Sequence, residues 1–333
     1  MFVELFFANL FMLVSEKFRR VLCLGFGDAI VRILLPVVVK LGCDRLTAAV
    51  YSLHYRALRR SILKICSATI AKYSAHDVSP TSYVKSNEAF SVWFQGQSQA
   101  PEVVQMCLKS VSRVMAGRHL VLDRQALDSL GIPDAVMQRV GHDAKFMAVF
   151  SDVVRLALLS QRGGVWFDAT LFVHHLPPAM SDNPFYSIRH ALPSHAGSLL
   201  CNPSVFMTPD GHFESKWTAF FLQSHKGDVV SSFAFGMMCE YWSKMDFLVD
   251  YFLIDAILRV GYESIPRIKD EVDAIPVNND GSLYALSPVL NQQYDEAQWN
   301  VMCCNPLAVF KLNRAFSPDN LKSDSFYFQC VKS

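Results

Sequence analysis

Apolar residues recur along this chain at two spacings, and the change between them marks its elements. The run FSVWFQG over residues 90–96 is short, aromatic-rich and closed by Gly96, which predicts a strand. Pro101 then stands at a first helical position, and EVVQMCLKSVSRVM keeps apolar residues at helical spacing over 102–115. HLVLD (119–123) predicts a second strand and PDAVMQRVG (133–141) a short helix. AKFMAVFSDVVRLALLSQR predicts a long helix over 144–162, stopped by Gly163 and Gly164. VWFDATLFV (165–173) reads as a third strand, closed by Pro177 and Pro178. Strand–helix–strand–helix–strand order implies an α/β fold with a mostly parallel sheet. Beyond it, SVFMT reads as a strand and HFESKWTAFFLQSH (212–225) as a helix. Residues 233–260 read as one long helical region, 288–294 as a helix, and SFYFQCV (325–331) as a terminal strand.

Three apolar segments precede this body. MFVELFFANLFMLV reaches about 21 Å as a helix, short of the roughly 30 Å of a hydrocarbon core. It carries Glu4 and has no positive stretch before it, so it is a poor signal peptide. Residues 21–41 contain Asp28, Arg32, Pro36 and Lys40 and do not read as a transmembrane helix. In residues 46–73, Arg56, Arg59, Arg60 and Lys64 fall at helical intervals among apolar residues. Such a helix lies either on an anionic membrane surface or docked on the body with its arginines solvated.

Composition sharpens this division. The chain is 51% hydrophobic and only 18% charged, which excludes intrinsic disorder. A net charge of +1 offers no basic excess for a nucleic acid. That figure hides a cancellation, however: residues 1–75 carry eleven Lys/Arg against four Asp/Glu, a net of +7, and the rest carries −6. We therefore divide the chain into an N-terminal helical, basic and apolar segment (1–80) and a body (86–333), and expect peripheral membrane contact through residues 1–75. Nine cysteines without a CxxC pair and ten histidines without HExxH or HxH spacing give no zinc site or disulfide framework. A reducing cytosol fits, so the expected location is cytoplasmic, at the inner face of the cytoplasmic membrane.

The informative chemistry lies in FSDVVRLALLSQRGGVWFDAT (150–170). Asp152 and Arg155, three apart on one helix, share a face. They either hydrogen-bond sugar hydroxyls or simply pair with each other. Gly163 and Gly164 permit a tight helix-to-strand turn and close backbone approach. If the strand ends near Phe167, Asp168 and Thr170 fall at the carboxyl edge of the sheet, where ligands bind in such folds.

The pattern Ser151-Asp152-x-x-Arg155, Leu158-Leu159, Gly163-Gly164-x-Trp166-x-Asp168-x-Thr170 resembles the capsular polysaccharide synthesis protein family, glycosyltransferases related to the DXD-containing sugar transferases. Val92-Trp93-Phe94-Gln95-Gly96 with Ala100-Pro101-Glu102, Asp250 to Asp255, and Phe310-Lys311-Leu312-Asn313 extend the likeness over residues 90–328. The resemblance implies a GT-A-like (Rossmann-like) nucleotide-sugar-binding domain and a retaining transfer of sugar to a polysaccharide or lipid-linked oligosaccharide. Transfer to protein, and an inactive scaffold subunit of an assembly complex, are the alternatives. It further implies that Asp152 and Arg155 contact the donor sugar and that Asp168 is the first acid of DXD, touching the nucleotide-sugar, while the second acid holds a metal. Here either Asp168 holds Mn²⁺ or Mg²⁺ nearly alone with the diphosphate oxygens, or no metal is needed. Thr170 replaces the second acid and is a weak ligand for such ions. A leaving diphosphate needs cations or fixed donors, for which Lys311 is the candidate. Asp250, preferred over Asp255, supplies a carboxylate for the oxocarbenium-like centre or the acceptor hydroxyl. Gln95, Gly96 and Gly164 complete the expected donor contacts, while Trp93 and Trp166 read as core residues.

Overall fold

The computed structural model describes residues 16–75, 83–141, 146–177, 180, 182–317 and 324–332. The apolar run over residues 1–14 lies outside them.

Four helices open the described chain: α1 (Glu16–Leu24), α2 (Phe26–Lys40), α3 (Asp44–Ile65) and α4 (Ser67–Ala75). α3 turns Tyr51, His54, Tyr55, Leu58 and Ile62 inward, the i, i+3, i+4 spacing of one helix face. Leu58 and Ile62 are fully buried in the main core. The inward face of α3 thus packs on the body, as the docked reading of this helix expects, while Leu46 and Leu53 stay exposed. Arg56 and Arg60 remain exposed, whereas Arg59 pairs with Glu263 at 2.8 Å. No single helix among the described residues is long and apolar enough to cross a membrane, and the bent pair α1–α2 turns by 112° at its break.

The predicted α/β passage follows. β1 (Ala89–Val92) leads through α5 (Glu102–Val114) to β2 (His119–Leu122). The turn α6 (Asp134–Val136) and the helix α7 (Met147–Arg162) then lead to β3 (Gly164–Phe167). β1 pairs in parallel with both β2 and β3 and lies between them. The chain therefore leaves β1 in one direction for β2 and returns on its other side for β3. This reversal opens a crevice at the carboxyl ends of β1 and β3.

After Phe167 the backbone breaks. β4 (Leu171–His175) leaves the central sheet and pairs antiparallel with β10 (Ala308–Lys311), so VWFDATLFV is two strands with Asp168 at their junction. β5 (Phe185–Ser187) and β6 (His190–Ala191) follow, then β7 (Val205–Met207), β8 (Phe213–Ser215) and β9 (Phe221–Ser224). The central sheet has the order β2-β1-β3-β9-β5, with β9 antiparallel to β3 and β5. It is therefore mixed, with a parallel core. β6, β8 and β7 form a small separate antiparallel sheet.

Four further expected elements differ. Residues 212–225 form β8 and β9, not a helix; both strands are buried on both faces, so no alternation betrays them. The long helical region is two helices, α8 (Val229–Lys244) and α9 (Leu253–Ser264), followed by α10 (Pro266–Asp273). α8 starts where the Asp228 side chain accepts from Ser231 N, an N-cap. Residues 288–294 hold only the end of a 3₁₀ turn, Ser287–Val289, ahead of α11 (Glu296–Met302). SFYFQCV is mostly α12 (Phe326–Lys332), whose Phe326, Tyr327 and Cys330 sink one helical face into a second apolar cluster beside Trp299, Phe172 and Phe310. There, tertiary packing overrides the strand preference of the aromatics.

Candidate active site

A cavity of about 830 Å³ opens at the crevice between β1 and β3, within the size range of small-ligand sites. The turn after β1 sends Trp93 and Gln95 to its wall, and the β3–β4 junction sends Asp168 and Thr170. α7 contributes Asp152 and Arg155 from one face, and the end of β10 contributes Lys311. Six of the residues expected from the sequence, spread over more than two hundred positions, thus meet in one cavity.

Asp168 is the hub. Its Oδ1 accepts from Arg155 Nη2 at 2.8 Å and from Trp166 Nε1 at 2.9 Å, and its Oδ2 accepts from Lys311 Nζ at 2.9 Å. Its backbone N–H donates to the Phe220 carbonyl at 2.9 Å, which fixes the strand end against the turn before β9. Burial pushes the carboxyl up, but the Lys311 ammonium and the Arg155 guanidinium outweigh it and hold Asp168 below the ordinary carboxylate range. Arg155 is itself buried. It donates to the Ala219 carbonyl, lies 3.3 Å from Asp152 Oδ1 and stacks 4.9 Å from the centre of the Trp166 ring. Trp166 is accordingly a core residue, as expected, yet its indole N–H aims the carboxylate.

Two further carboxyls carry perturbed acidity. Asp152 is pushed up to about 7 by burial, against the pull of Arg155 and with a push from Asp168 and Asp255. Asp255, on α9, is pushed up to about 6 by burial, although Trp217 Nε1 donates to it at 3.0 Å and Asn202 Nδ2 at 3.4 Å. Three buried polar atoms on the cavity wall lack a partner among the described residues: Arg155 Nε, Trp93 Nε1 and Thr218 Oγ1. Buried polar groups are nearly always paired, so unmet ones around a cavity mark capacity for a polar ligand.

The remaining expected residues lie elsewhere. Gly96 adopts φ +88° in the turn after β1 but does not line the cavity. Gly164 sits at the far end of β3 from Asp168, where a Cβ would come within 2.5 Å of the Glu88 carbonyl. Its conformation, φ +106°, serves close strand packing rather than ligand contact. Asp250 precedes α9 and is not on it, so the two aspartates do not share a helix. Its Oδ2 accepts from His54 Nε2 at 2.9 Å and from Arg32 at 3.3 Å, which ties it to the N-terminal helices, while Asp255 faces the cavity.

The Mn²⁺ or Mg²⁺ expected at Asp168 does not fit this donor set. Both carboxylate oxygens are engaged by cationic or N–H donors, and an ion there would adjoin two positive charges. Among the described residues no group of three His, Cys, Asp or Glu side chains is placed to hold an ion. The sequence reading missed Asn202, Trp217 and Arg314. Trp217, between β8 and β9, was obscured by the helical reading of residues 212–225, and Asn202 carries no sequence signal. Arg314, three residues after Lys311, was legible as a second cation and lines the same cavity.

A family model described as capsular polysaccharide synthesis protein matches residues 45–330, starting within α3 and well before the strand where the likeness is first readable. No curated protein and no solved structure matches the chain.

Proposed function

The chain belongs to the capsular polysaccharide synthesis protein family, and from that premise we propose that it is a glycosyltransferase with a GT-A-like domain. It moves a sugar from a nucleotide-sugar donor to a polysaccharide or lipid-linked oligosaccharide acceptor in capsule synthesis. The observation that carries the reading is the Arg155–Asp168–Lys311 chain in a cavity at the sheet's reversal point, with two further carboxyls beside it.

Each part has a task in such a transfer. The bond between the anomeric carbon and the diphosphate oxygen breaks, and its electron pair leaves with the diphosphate. Lys311 and Arg314 face the cavity as the cations that meet this charge. Asp168 holds Lys311 and Arg155 at fixed positions, so the site needs no rearrangement as charge develops. Asp255 takes over the role first given to Asp250. With acidity moved toward neutrality it accepts the proton of the acceptor hydroxyl, whose oxygen bonds to the anomeric carbon. Asp152, its carboxyl pushed up by burial, exchanges hydrogen bonds with sugar hydroxyls.

The test is a thermal-shift panel of UDP-, GDP- and ADP-sugars, followed by hydrolysis of the best binder without acceptor. Asp168→Ala is expected to lose that hydrolysis. Undiminished turnover by this variant overturns the site, and no hydrolysis by the unmodified protein with any donor favours a scaffold subunit.

A further inference from the structure

Helix α2 is built inside out. Its Asp28 is buried, and Arg32 turns toward the body, where it donates to Asp28 at 3.0 Å, to the Val249 carbonyl at 3.0 Å and to Asp250 at 3.3 Å. The opposite side presents Phe26, Ile30, Ile33, Leu34, Val37 and, just beyond its end, Leu41, every one exposed; Phe26 and Ile33 reach 75% and 73%. A surface helix of a globular protein normally shows the reverse arrangement. A contiguous apolar stripe of this size marks contact with something apolar.

We propose that this face of α2 docks on an anionic lipid surface. Three observations favour lipid over a second copy of the chain. The fourteen residues that open the sequence, MFVELFFANLFMLV, are almost wholly apolar and lead directly into α1 and α2. The first 75 residues carry a net charge of +7 on a chain that is otherwise acidic. Lys40 and Arg45, at the end of the stripe, are exposed as headgroup contacts. At 15 residues α2 spans about 22 Å, too short to cross the hydrocarbon core, so it lies along the surface.

Docking in this way brings the cavity to the interface. Asp250, held by Arg32 of α2, is followed by Tyr251, which lines the cavity and is 74% exposed. Leu199 on the cavity wall belongs to a 3₁₀ turn, Gly197–Leu200, that packs against α2 and α3.

The experiment is flotation of the full-length protein with vesicles of phosphatidylcholine and phosphatidylglycerol. We expect the protein to float, and the double variant Phe26→Glu/Ile33→Glu to lose at least about tenfold in bound fraction, with unchanged circular dichroism and thermal midpoint. Val301→Glu, at a residue exposed on the body (70%), is expected to float like the unmodified protein. Flotation of the double variant equal to that of the unmodified protein overturns the proposal, as does an unmodified protein that stays at the bottom. A dimer in sedimentation velocity that the double variant dissolves, without vesicle binding, also overturns it and assigns the face to a second copy. Vesicle binding is read without any sugar donor, so failure of the transferase reading leaves this result standing.

Discussion

The Lys311 ammonium lies 2.9 Å from Oδ2 of Asp168 and ties the end of β10 to the end of β3. The other oxygen of the same carboxylate is held by Arg155 at 2.8 Å, so one acid orders two cations at the mouth of the crevice. Charge-assisted bonds of this kind are short and directional. They hold two positive charges at fixed positions on the cavity wall.

Lys311→Met is expected to lower donor turnover by roughly 100-fold, the scale of removing one fixed charge-stabilising donor. Lys311→Arg, which keeps the charge, should recover part of it. Steady-state hydrolysis of the best-binding nucleotide-sugar checks this. A wild-type rate in Lys311→Met would remove Lys311 from the site.

The metal question has an equally direct readout. Because both oxygens of Asp168 are already engaged, chelation with EDTA should leave donor binding and turnover unchanged, and added Mn²⁺ should not raise the donor-induced thermal shift. A chelation-sensitive rate restored by Mn²⁺ would mean that Lys311 yields its place to an ion.

Much of this site was readable from the sequence alone. The α7–β3 passage forms as its spacing predicts, and the end of β3 at Phe167 places Asp168 and Thr170 at the carboxyl edge. What was not readable depended on long-range packing. β8 and β9 are buried on both sides, so their apolar residues lack the period-two signature and mimic a helix, which hid Trp217. The choice between Asp250 and Asp255 turned on a helix break over residues 245–252, which contain neither proline nor glycine. The inverted polarity of α2 is invisible in sequence, because Asp28 and Arg32 look solvated until His54 and Asp250 are seen to bind them.

Asp255 predicts the pH profile. Burial raises its carboxyl to about 6, and it must be ionised to accept a proton, so turnover should fall as pH drops through about 6. Asp255→Asn should lose most of the rate and the acidic limb with it. A limb that persists in the residual rate of this variant would assign it to another group.

Gly164 separates packing from chemistry. At φ +106°, with the Glu88 carbonyl 2.5 Å from the position an alanine methyl would take, Gly164→Ala forces strand β3 away from the start of β1. A loss of about 2 kcal/mol or more is expected from combined backbone strain and overpacking. Gly96→Ala meets no neighbour within 4 Å and should cost about 1–2 kcal/mol, from its φ alone. Urea unfolding midpoints compare the two, and donor affinity per folded molecule should be unchanged in Gly164→Ala.

His54 gives the stability a pH dependence of definite sign. It is buried between two carboxylates, with Nδ1 at 2.6 Å from Asp28 Oδ1 and Nε2 at 2.9 Å from Asp250 Oδ2, so both ring nitrogens donate and the imidazolium is the bound form. Burial opposes the charge, but the hydrogen bonds to Asp250 and Asp28 prevail and raise the ring to about 9 from 6.5. The folded state therefore holds the proton more tightly than the unfolded chain. The resulting stabilisation is fully present below pH 6.5 and is lost as pH rises through about 9. That difference corresponds to about 3 kcal/mol; the lowering of the Asp250 carboxyl below the ordinary carboxylate range is the same interaction seen from its partner and adds nothing further. Urea unfolding at pH 6, 8 and 10 should show this decline, and His54→Gln should flatten it while lowering stability at pH 6. A decline of equal size in His54→Gln would place its origin in another titrating group.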